Sequence, residues 1–325
     1  MKRIPLVERG VAASRLVMGC MSLGGGWNRN PISADDVFAA ERAVEAALAI
    51  GITMFDHADI YTLGKAEETF GRVLAGRPGL REQIVVQSKC GIRLAEGSLP
   101  GRFDFSREHI LASIDGSLRR LGTPYLDVLL LHRPDALMEP DEIAEAFAAT
   151  KTAGKVRHFG VSNMDVGQMR FLQRALPDAL VVNQLELSLA RLDWLDQGVH
   201  VNQKVGTGVH FGEGLLEHCQ TEAIQIQAWG PLAQGRFSGR PVDDQPESVR
   251  TTAALVERMA GERGVTREAI VLGWLMRHPA GIQPVLGTID PGRLAACAGA
   301  EAQAAAMTRD EWYTLYVSAR GERLP

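Results

Sequence analysis

Short apolar runs alternate along this chain with longer segments that carry helical periodicity. Eight of the runs are strand candidates, and several of these have the Val, Ile and Leu content of strands that are buried on both faces. They cover residues 16–18, 53–56, 84–89, 126–132, 158–162, 181–184, 224–229 and 282–286. Eight strand–helix units in one chain predict an α/β fold, namely a (β/α)8 TIM barrel with eight parallel strands.

Local sequence signals also predict where several helices begin and end. Ser33, followed by two acidic residues, predicts an N-cap, and Gly51 predicts the end of that helix. The same kinds of signal predict helices over 106–121, 139–153 and 267–278. The main alternative to a barrel is a pair of doubly wound sheets, but no Pro- or Ser-rich linker divides the chain.

We therefore expect residues 1–325 to form one barrel domain with three additions. Residues 2–14 are predicted to form an N-terminal hairpin across the bottom of the barrel. Residues 187–223 contain too many Gly, His and Asp residues to form one regular helix. Residues 302–325 are predicted to form a C-terminal helical tail.

The composition narrows the class of protein. The chain is 46% hydrophobic and 23% charged, with a formal net charge of −4, so neither nucleic acid nor an anionic membrane is an expected partner. The four cysteines are far apart, which favours free thiols in a reducing compartment. No apolar run has the length of a signal peptide or of a membrane span, so we expect a cytoplasmic protein.

Polar side chains stand at the predicted ends of the strands, where barrel enzymes place their active sites. Asp56 ends the second strand with Tyr61 just beyond it, Lys89 ends the third, and His132 ends the fourth. The later strands end in Ser162 and Asn163, Asn183 and Gln184, Trp229, and Gly287 and Thr288. These groups are therefore expected to meet at one mouth of the barrel.

The first four of these side chains suggest acid catalysis at a carbonyl group. A free tyrosine is a weak acid with a pKa near ~10, and a neighbouring ammonium such as Lys89 would lower that pKa. A buried lysine needs a counter-charge, which Asp56 can supply. His132 can donate a hydrogen bond to the same carbonyl oxygen while Tyr61 protonates it and another group delivers a hydride.

Several motifs, in order, resemble those of the aldo-keto reductases over nearly the whole chain. The HADIY form at 57–61 is similar to that of a bacterial branch of uncharacterised oxidoreductases. The other motifs are SKCG at 88–91, LLLHRPD at 129–135, GVSN at 160–163, VVNQLELS at 181–188, AWGPLAQGR at 228–236 and VLGTIDPGRL at 285–294.

The resemblance implies a TIM barrel that reduces aldehydes or ketones to alcohols with NAD(P)H. It assigns Asp56, Tyr61, Lys89 and His132 to the catalytic tetrad, with Tyr61 as the general acid. It implies that Lys89 tunes Tyr61, that Asp56 orients Lys89, and that His132 positions the carbonyl. It also implies a small carbonyl substrate as the partner and favours a monomer.

The resemblance also implies a cofactor site. Ser162, Asn163 and Gln184 match positions that bind the carboxamide, and Trp229 matches the aromatic residue that stacks on the nicotinamide. Gly19 and Met21 belong to the same site. The loop after the seventh strand matches the cover of the pyrophosphate, with Gly230, Pro231, Leu232, Gln234, Gly235 and Arg236.

The loop after the eighth strand matches the site of the adenosine 2′-phosphate, with Gly287, Thr288 and Arg293. Departures from the family pattern lie nearby, at Ile289, Asp290, Ala296 and Cys297. The resemblance therefore implies that the 2′-phosphate is bound mainly by Arg293, with help from Arg236. NADPH is the favoured cofactor, and NADH is the alternative.

The glycine-rich segment 19–30 lacks the G-x-G-x-x-G order of a dinucleotide fingerprint and is predicted to be a flexible first loop. Trp27 in this loop, flanked by Gly26 and Asn28, is a candidate for a wall of the substrate pocket. Tyr61 and His132 are the other residues that we expect to contact substrate. Cys90, although next to Lys89, is predicted to be a buried and inert thiol.

Two other functions compete with the reductase. One is a barrel that binds the cofactor without catalysis, as a redox-sensing subunit. The other is a metal-dependent hydrolase or lyase built on Asp56, His57 and His132. The isolated His57 and Asp59 make a poor metal site, so no metal is expected. His200, His210 and His218 have irregular spacing and are predicted to lie in a solvated loop, where His210 or Phe211 could touch substrate.

Overall fold

The computed structural model describes residues 3–200 and 214–324. Ten strands run through these residues: β1 Val17–Gly19, β2 Met54–Asp56, β3 Val85–Cys90, β4 Ile92–Arg93, β5 Arg102–Phe103, β6 Leu126–Leu131, β7 Val156–Ser162, β8 Val182–Glu186, β9 Gln225–Trp229 and β10 Gln283–Leu286. All of them except β4 and β5 pair in parallel into a closed barrel, in the order β1, β2, β3, β6, β7, β8, β9, β10 and back to β1. The predicted eight-stranded barrel is confirmed, and the alternative of two open sheets is wrong.

Burial on both faces accounts for the apolar content of the strands, since every residue of β3 and of β6 is buried. The helices on the outside of the barrel and beyond it are α1 Pro5–Glu8, α2 Ala34–Ala49, α3 Lys65–Ala75, α4 Arg107–Leu121, α5 Pro140–Thr152, α6 Val166–Gln173, α7 Asp193–Asp196, α8 Leu215–Thr221, α9 Glu247–Arg263, α10 Arg267–Arg277, α11 Pro291–Ala295, α12 Ala300–Ala306 and α13 Arg309–Arg320. The predicted helix signals operate as expected. Ser33 forms a capping box with Asp36, and Gly51 adopts a φ of 82° just past the end of α2.

The predicted N-terminal hairpin is wrong. Residues 5–8 form the short helix α1, with Pro5 at its first position and the Ile4 carbonyl accepting from the amides of Val7 and Glu8. Proline lacks an N–H for a strand ladder and has its φ set for a helical turn, which explains the difference. The segment nevertheless covers the bottom of the barrel, because Ile4 and Leu6 are buried in the apolar cluster there.

A hairpin of β4 and β5 after β3 was not predicted. The chain passes from β3 into this hairpin through Gly91, which has a φ of 103°. A Cβ at this position would lie 2.2 Å from the ring of Phe105, so only glycine fits between the strand end and that ring. The hairpin brings Ile92 to the carboxyl end of the barrel, where the candidate site lies.

The helical tail is confirmed and consists of α12 and α13. It braces the segment after β8, because Asp196 of α7 accepts a hydrogen bond from the Tyr316 hydroxyl at 2.5 Å and forms an ion pair with Arg320 at 3.1 Å. The described parts of the 187–223 segment contain two short helices, α7 and α8. The composition predicted only that the segment would not form one regular helix. In residues 3–200 and 214–324, no helix combines the length and the apolarity that crossing a bilayer requires.

Candidate active site

A buried lysine connects the ends of β2 and β3. The Lys89 ammonium is fully buried and donates to three oxygen atoms: Asp56 Oδ2 at 2.7 Å, the His57 carbonyl at 2.9 Å and Tyr61 Oη at 2.9 Å. An ammonium has three hydrogens, so all of them are used. Tyr61 Oη is therefore the acceptor of this bond, and its own hydrogen is left to donate elsewhere.

Lys89 stays charged in this setting. Burial alone lowers the pKa of its ammonium, but the Asp56 carboxylate and the Tyr61 oxygen raise that pKa, and the net shift is upward. The result is a fixed positive charge directly behind the phenol oxygen of Tyr61.

Lys89 was expected to bring the pKa of Tyr61 below its ordinary value, but the pKa lies above that value, so the expectation is wrong. Burial raises the pKa of Tyr61 more than the Lys89 ammonium lowers it. Tyr61 is therefore a neutral phenol at physiological pH, as a proton donor must be.

His132 faces Tyr61 at the carboxyl end of β6, with ring centroids 5.9 Å apart in an edge-to-face arrangement. Burial, with Lys89 and Arg133 nearby, holds the pKa of His132 well below its usual range, so the imidazole is neutral. Its Nδ1 is buried and has no hydrogen-bond partner among the described residues. A proton on Nδ1 would thus be buried without an acceptor, which favours the tautomer that carries the proton on Nε2.

A strained turn presents Tyr61 to the cavity. Thr62, Leu63 and Gly64 adopt positive φ angles of 48°, 63° and 90°, which is costly for the two residues that carry a Cβ. The turn is held in place because the buried Thr62 hydroxyl donates to the Leu23 carbonyl at 2.8 Å. This bond ties the turn to the first loop of the barrel, which carries Trp27.

The tetrad opens onto a cavity of about 920 Å³ at the carboxyl end of the barrel. Trp27, half exposed, lies in its wall. The other sequence-predicted residues that line it are Gly19, Met21, Asp56, Tyr61, His132, Ser162, Asn163, Gln184, Trp229, Gly230, Pro231, Leu232, Gln234, Gly235, Gly287, Thr288 and Arg293. Lys89 does not line the cavity and is hydrogen-bonded to Tyr61 Oη, which does. Arg236 does not line this cavity and faces a neighbouring depression instead.

Sequence reasoning missed part of the wall. The additional lining residues are Ile60, Ile92, Arg133, Ala233, Ser238, Gly239, Arg240, Glu268 and Val285. Arg240 takes the place in the wall that was expected of Arg236. The Ser-Gly-Arg run at 238–240 follows the AWGPLAQGR motif after a single residue, Phe237, and that proximity could have revealed it.

Side chains at the middle of the cavity hold one another in place. Trp229 Nε1 donates to Asn163 Oδ1 at 3.2 Å, and Asn163 Nδ2 donates to the His132 carbonyl at 3.2 Å. Asn163 has a φ of 58°, a conformation that asparagine tolerates better than most residues. The Ser162 hydroxyl donates to the backbone carbonyl of Gln184 at 2.8 Å. The indole of Trp229 is thus fixed in the wall.

The wall of the cavity contains members of the tetrad as well as positive charge. Tyr61 and His132 line it, and so do Arg240 and Arg293. Ala233, Gln234 and Gly235 also line it and form a turn with φ angles of 47°, 58° and 84°. The amides of Ala233 and Gly235 donate to the carbonyls of Gly230 and Leu232, so they stabilise the turn itself. Positive charge for a phosphate is supplied by the two arginines.

The metal alternative finds little support in the geometry. His57 is fully buried against Phe70, with ring centroids 4.6 Å apart, and burial lowers its pKa to about 3. Asp59 is linked to Ser113 of α4, away from the tetrad, and burial raises its pKa to about 7. Within residues 3–200 and 214–324, no three His, Cys, Asp or Glu side chains are grouped as metal ligands.

Two other sequence interpretations can be checked. Cys90 is a buried free thiol whose pKa burial raises well above its ordinary value, in agreement with an inert role. The prediction of a solvated loop is wrong for His200, which is buried with Nε2 3.0 Å from Arg320, and His218 lies in α8. His210 and Phe211 lie outside the described residues.

Comparisons with known proteins agree with the geometry. A family model described as "Aldo/keto reductase family" matches residues 15–315. An uncharacterized oxidoreductase of Bacillus subtilis, YcsN, is 37% identical over 330 residues, which is 100% of both chains. A 6-dehydroglucose reductase of Agrobacterium fabrum is 35% identical, again over 100% of both chains.

Solved structures show the same fold. The glycerol dehydrogenase AKR11B4 from Gluconobacter oxydans superposes with a TM-score of 0.74 at 22% identity and covers 96% of this chain and 94% of its own. An aldo-keto reductase from Klebsiella pneumoniae, solved in complex with NADPH, superposes with a TM-score of 0.69 at 25% identity, over 93% of this chain and 90% of its own.

Proposed function

The chain belongs to the aldo/keto reductase family, and we propose on this basis that it is an NADPH-dependent reductase of aldehydes and ketones. The observation that carries the proposal is the bonding of Lys89. Its three hydrogens are used by Asp56, His57 and Tyr61, which leaves the phenol of Tyr61 free to donate its proton into the cavity.

In the proposed mechanism, Tyr61 is the general acid. The carbonyl oxygen of a substrate accepts hydrogen bonds from Tyr61 Oη and from the neutral His132. As negative charge develops on that oxygen, Tyr61 transfers its proton, and the Lys89 ammonium 2.9 Å away stabilises the phenolate that results. Asp56 holds the ammonium in place. Water can later return the proton to Tyr61.

The cofactor site is proposed along the same cavity. Trp229, Asn163 and Gln184 would hold the nicotinamide, and the loop that follows Trp229, from Gly230 to Gly235, would cover the pyrophosphate. Arg293 and Arg240 would bind the 2′-phosphate, which favours NADPH over NADH. When bound, this cofactor supplies the hydride for the carbonyl carbon. The NADPH complex of the Klebsiella pneumoniae relative supports a nicotinamide cofactor.

The substrate end of the cavity combines apolar walls with one positive charge. Trp27, Ile60 and Ile92 line the cavity, and Arg133, also in its wall, follows His132 in the sequence. Arg133 forms no ion pair with a carboxylate of the residues that the structure describes. We infer that the site favours aldehydes with an apolar or ring-shaped body and an anionic group that can reach Arg133.

The preference can be measured with substrates of matched size. For Arg133→Met, we expect kcat/KM for 4-carboxybenzaldehyde to fall about tenfold, the scale of one lost charge-assisted contact. The value for the neutral 4-nitrobenzaldehyde should change by less than about twofold, since this substrate offers no carboxylate for the charge of Arg133 to attract. Equal losses for both aldehydes would remove Arg133 from substrate recognition.

The function itself is tested by following NADPH oxidation at 340 nm with 4-nitrobenzaldehyde and methylglyoxal. Sustained turnover that is unaffected by a chelator is the expected result. Tight NADPH binding without turnover of any aldehyde would support a redox-sensing subunit instead. Activity that disappears with the chelator and returns with a metal would support a metal-dependent enzyme. We further propose a cytoplasmic location, in keeping with four buried free thiols, and a monomer, on the precedent of the family.

A further inference from the structure

An unusual polar layer lies inside the barrel, directly below the tetrad. Barrel interiors are normally filled by apolar side chains, as happens here nearer the bottom with Val17, Met54 and Val85. At the level of Asp56, however, the interior contains the side chains of Gln87, Gln184, Gln227 and Gln283, from β3, β8, β9 and β10. All four amides are buried.

The strand register creates this layer. Asp56 pairs laterally with Gln87, while Gln227 pairs with Gln184 on one side and with Gln283 on the other. Gln87 reaches across the barrel to the second group, because its Nε2 lies 2.9 Å from Gln227 Oε1. The amides thus form one connected chain across the interior.

The donor and the acceptor of every hydrogen bond in this chain of amides are determined by the groups at its two ends, Ser14 and Asp56. At the bottom, the Ser14 backbone carbonyl can only accept, and it does so from Gln283 Nε2 at 2.5 Å. Gln283 Oε1 then accepts from Gln227 Nε2 at 3.0 Å. Gln227 Oε1 accepts from Gln87 Nε2 and from Gln184 Nε2, both at 2.9 Å.

At the top, the chain ends on Asp56. Oδ1 of Asp56 accepts from Gln87 Nε2 at 2.6 Å and from Gln184 Nε2 at 3.2 Å. The other oxygen, Oδ2, accepts from Lys89. Because two amides hold Oδ1, the carboxylate has one orientation, and that orientation directs Oδ2 to the ammonium.

We propose that Gln87, supported by Gln227 and Gln283, is a positioning residue that aligns Asp56 with Lys89 and thereby sets the bond from Lys89 to Tyr61. This inference rests on the proposed function for its catalytic meaning. Gln87 touches neither Tyr61 nor the cavity, so it acts through Asp56. The chain also gives Gln184 a defined orientation. Both hydrogens of its amide are used inward, which leaves Oε1 as the free polar atom of a residue that lines the cavity.

Gln87 carries a cost in folding free energy, which indicates that its amide is kept for a function. Its Oε1 is buried without a hydrogen-bond partner among the residues that the structure describes, which is unfavourable for folding. A methionine would fill nearly the same volume without that cost. The structure keeps the amide, and the group that benefits from its N–H is Asp56.

A matched set of variants can test the proposal. Gln87→Met removes the donors to Asp56, and Gln227→Met removes the acceptor that orients Gln87. Gln225→Met is the control. Like Gln227, Gln225 is a buried residue of β9, and like Gln87 it has a buried Oε1 without a partner among the described residues. Its Nε2 donates to the Gly281 carbonyl, and it forms no hydrogen bond with Gln87, Gln184, Gln227 or Gln283. All three variants lose one buried amide.

The first measurement needs neither cofactor nor turnover. With ¹³Cζ-labelled tyrosine, the apoprotein gives four signals, and Tyr61→Phe identifies that of Tyr61. This signal reports the hydrogen bond from Lys89. We expect it to shift in Gln87→Met and in Gln227→Met and to stay in place in Gln225→Met. An unchanged Tyr61 signal in a folded Gln87→Met protein, or in Gln227→Met if the first does not fold, would overturn the proposal.

The second measurement separates kcat from KM. For Gln87→Met, kcat should fall about tenfold, the scale of one hydrogen bond to a charged group, with KM and the Kd of NADPH nearly unchanged. Gln227→Met should show a smaller loss of kcat, and Gln225→Met none. Equal losses in all three variants would indicate a purely structural role. If the wild-type protein reduces no aldehyde, the proposed function fails, and the tyrosine signals still decide whether Gln87 positions Lys89.

Discussion

Replacing Tyr61 with phenylalanine is expected to lower kcat for aldehyde reduction by about 10²-fold or more, while the Kd of NADPH stays nearly unchanged. General acid catalysis typically contributes 10²–10⁴ in rate, and Tyr61→Phe removes the only atom that transfers the proton. The ring remains, so the edge-to-face contact with His132 and the wall of the cavity are kept. Stopped-flow or steady-state oxidation of NADPH, together with a fluorescence titration for binding, measures both quantities.

Tyr125→Phe is the matched control for this experiment. Tyr125 lies between the guanidinium groups of Arg81 and Arg157, each 3.8 Å from its ring centroid, and it is remote from the cavity. Losing its hydroxyl should leave kcat within about twofold, because this residue contacts no reacting group. Near-normal turnover of Tyr61→Phe would show that another group donates the proton.

Replacing Arg293 with alanine is expected to weaken NADPH binding by about 10–100-fold and NADH binding by less than about twofold. A hydrogen bond to a charged group contributes about 1.5–3 kcal/mol, and only NADPH has a 2′-phosphate to lose it. Arg293 lines the cavity and has no ion-pair partner in residues 3–200 or 214–324. Binding to a ligand phosphate would give it one.

Arg236→Ala is the comparison for Arg293→Ala. Arg236 lies in the same region but faces a different depression, so its removal should change the Kd of NADPH far less. The two variants can be compared by titrating the fluorescence of Trp229 with each cofactor. Equal weakening of NADPH and NADH by Arg293→Ala would mean that Arg293 does not distinguish the 2′-phosphate. A large effect of Arg236→Ala would restore the original assignment of that residue.

The sequence by itself determined the barrel and the four tetrad residues as candidates. Eight apolar runs must each be buried, and parallel strands connected by helices close into a barrel. The polar residue that ends each run then has to lie at one end of that barrel. Asp56, Lys89 and His132 could be named for this reason, since strand ends are local features of the sequence.

Two elements were predicted less well, one because a local signal was overlooked and one because it depends on a contact distant in sequence. The N-terminal segment was expected to form a hairpin, although Pro5 at the head of α1 favours the helical turn that the structure has. The β4–β5 hairpin depends on Gly91 and on the ring of Phe105, which meets it from 14 positions later in the chain. Local patterns do not contain such contacts.

Only the tertiary structure decided the electrostatics and the inner layer of the barrel. The net pKa direction of Tyr61 follows from the balance between burial and the Lys89 charge, and burial is a property of the packed molecule. The amide chain from Ser14 to Asp56 joins residues of separate strands, and it exists because the register places Gln227 beside Gln184 and Gln283. Each glutamine looks like an ordinary polar residue in the sequence. The closed barrel makes them one network, because it brings their side chains into a single enclosed space.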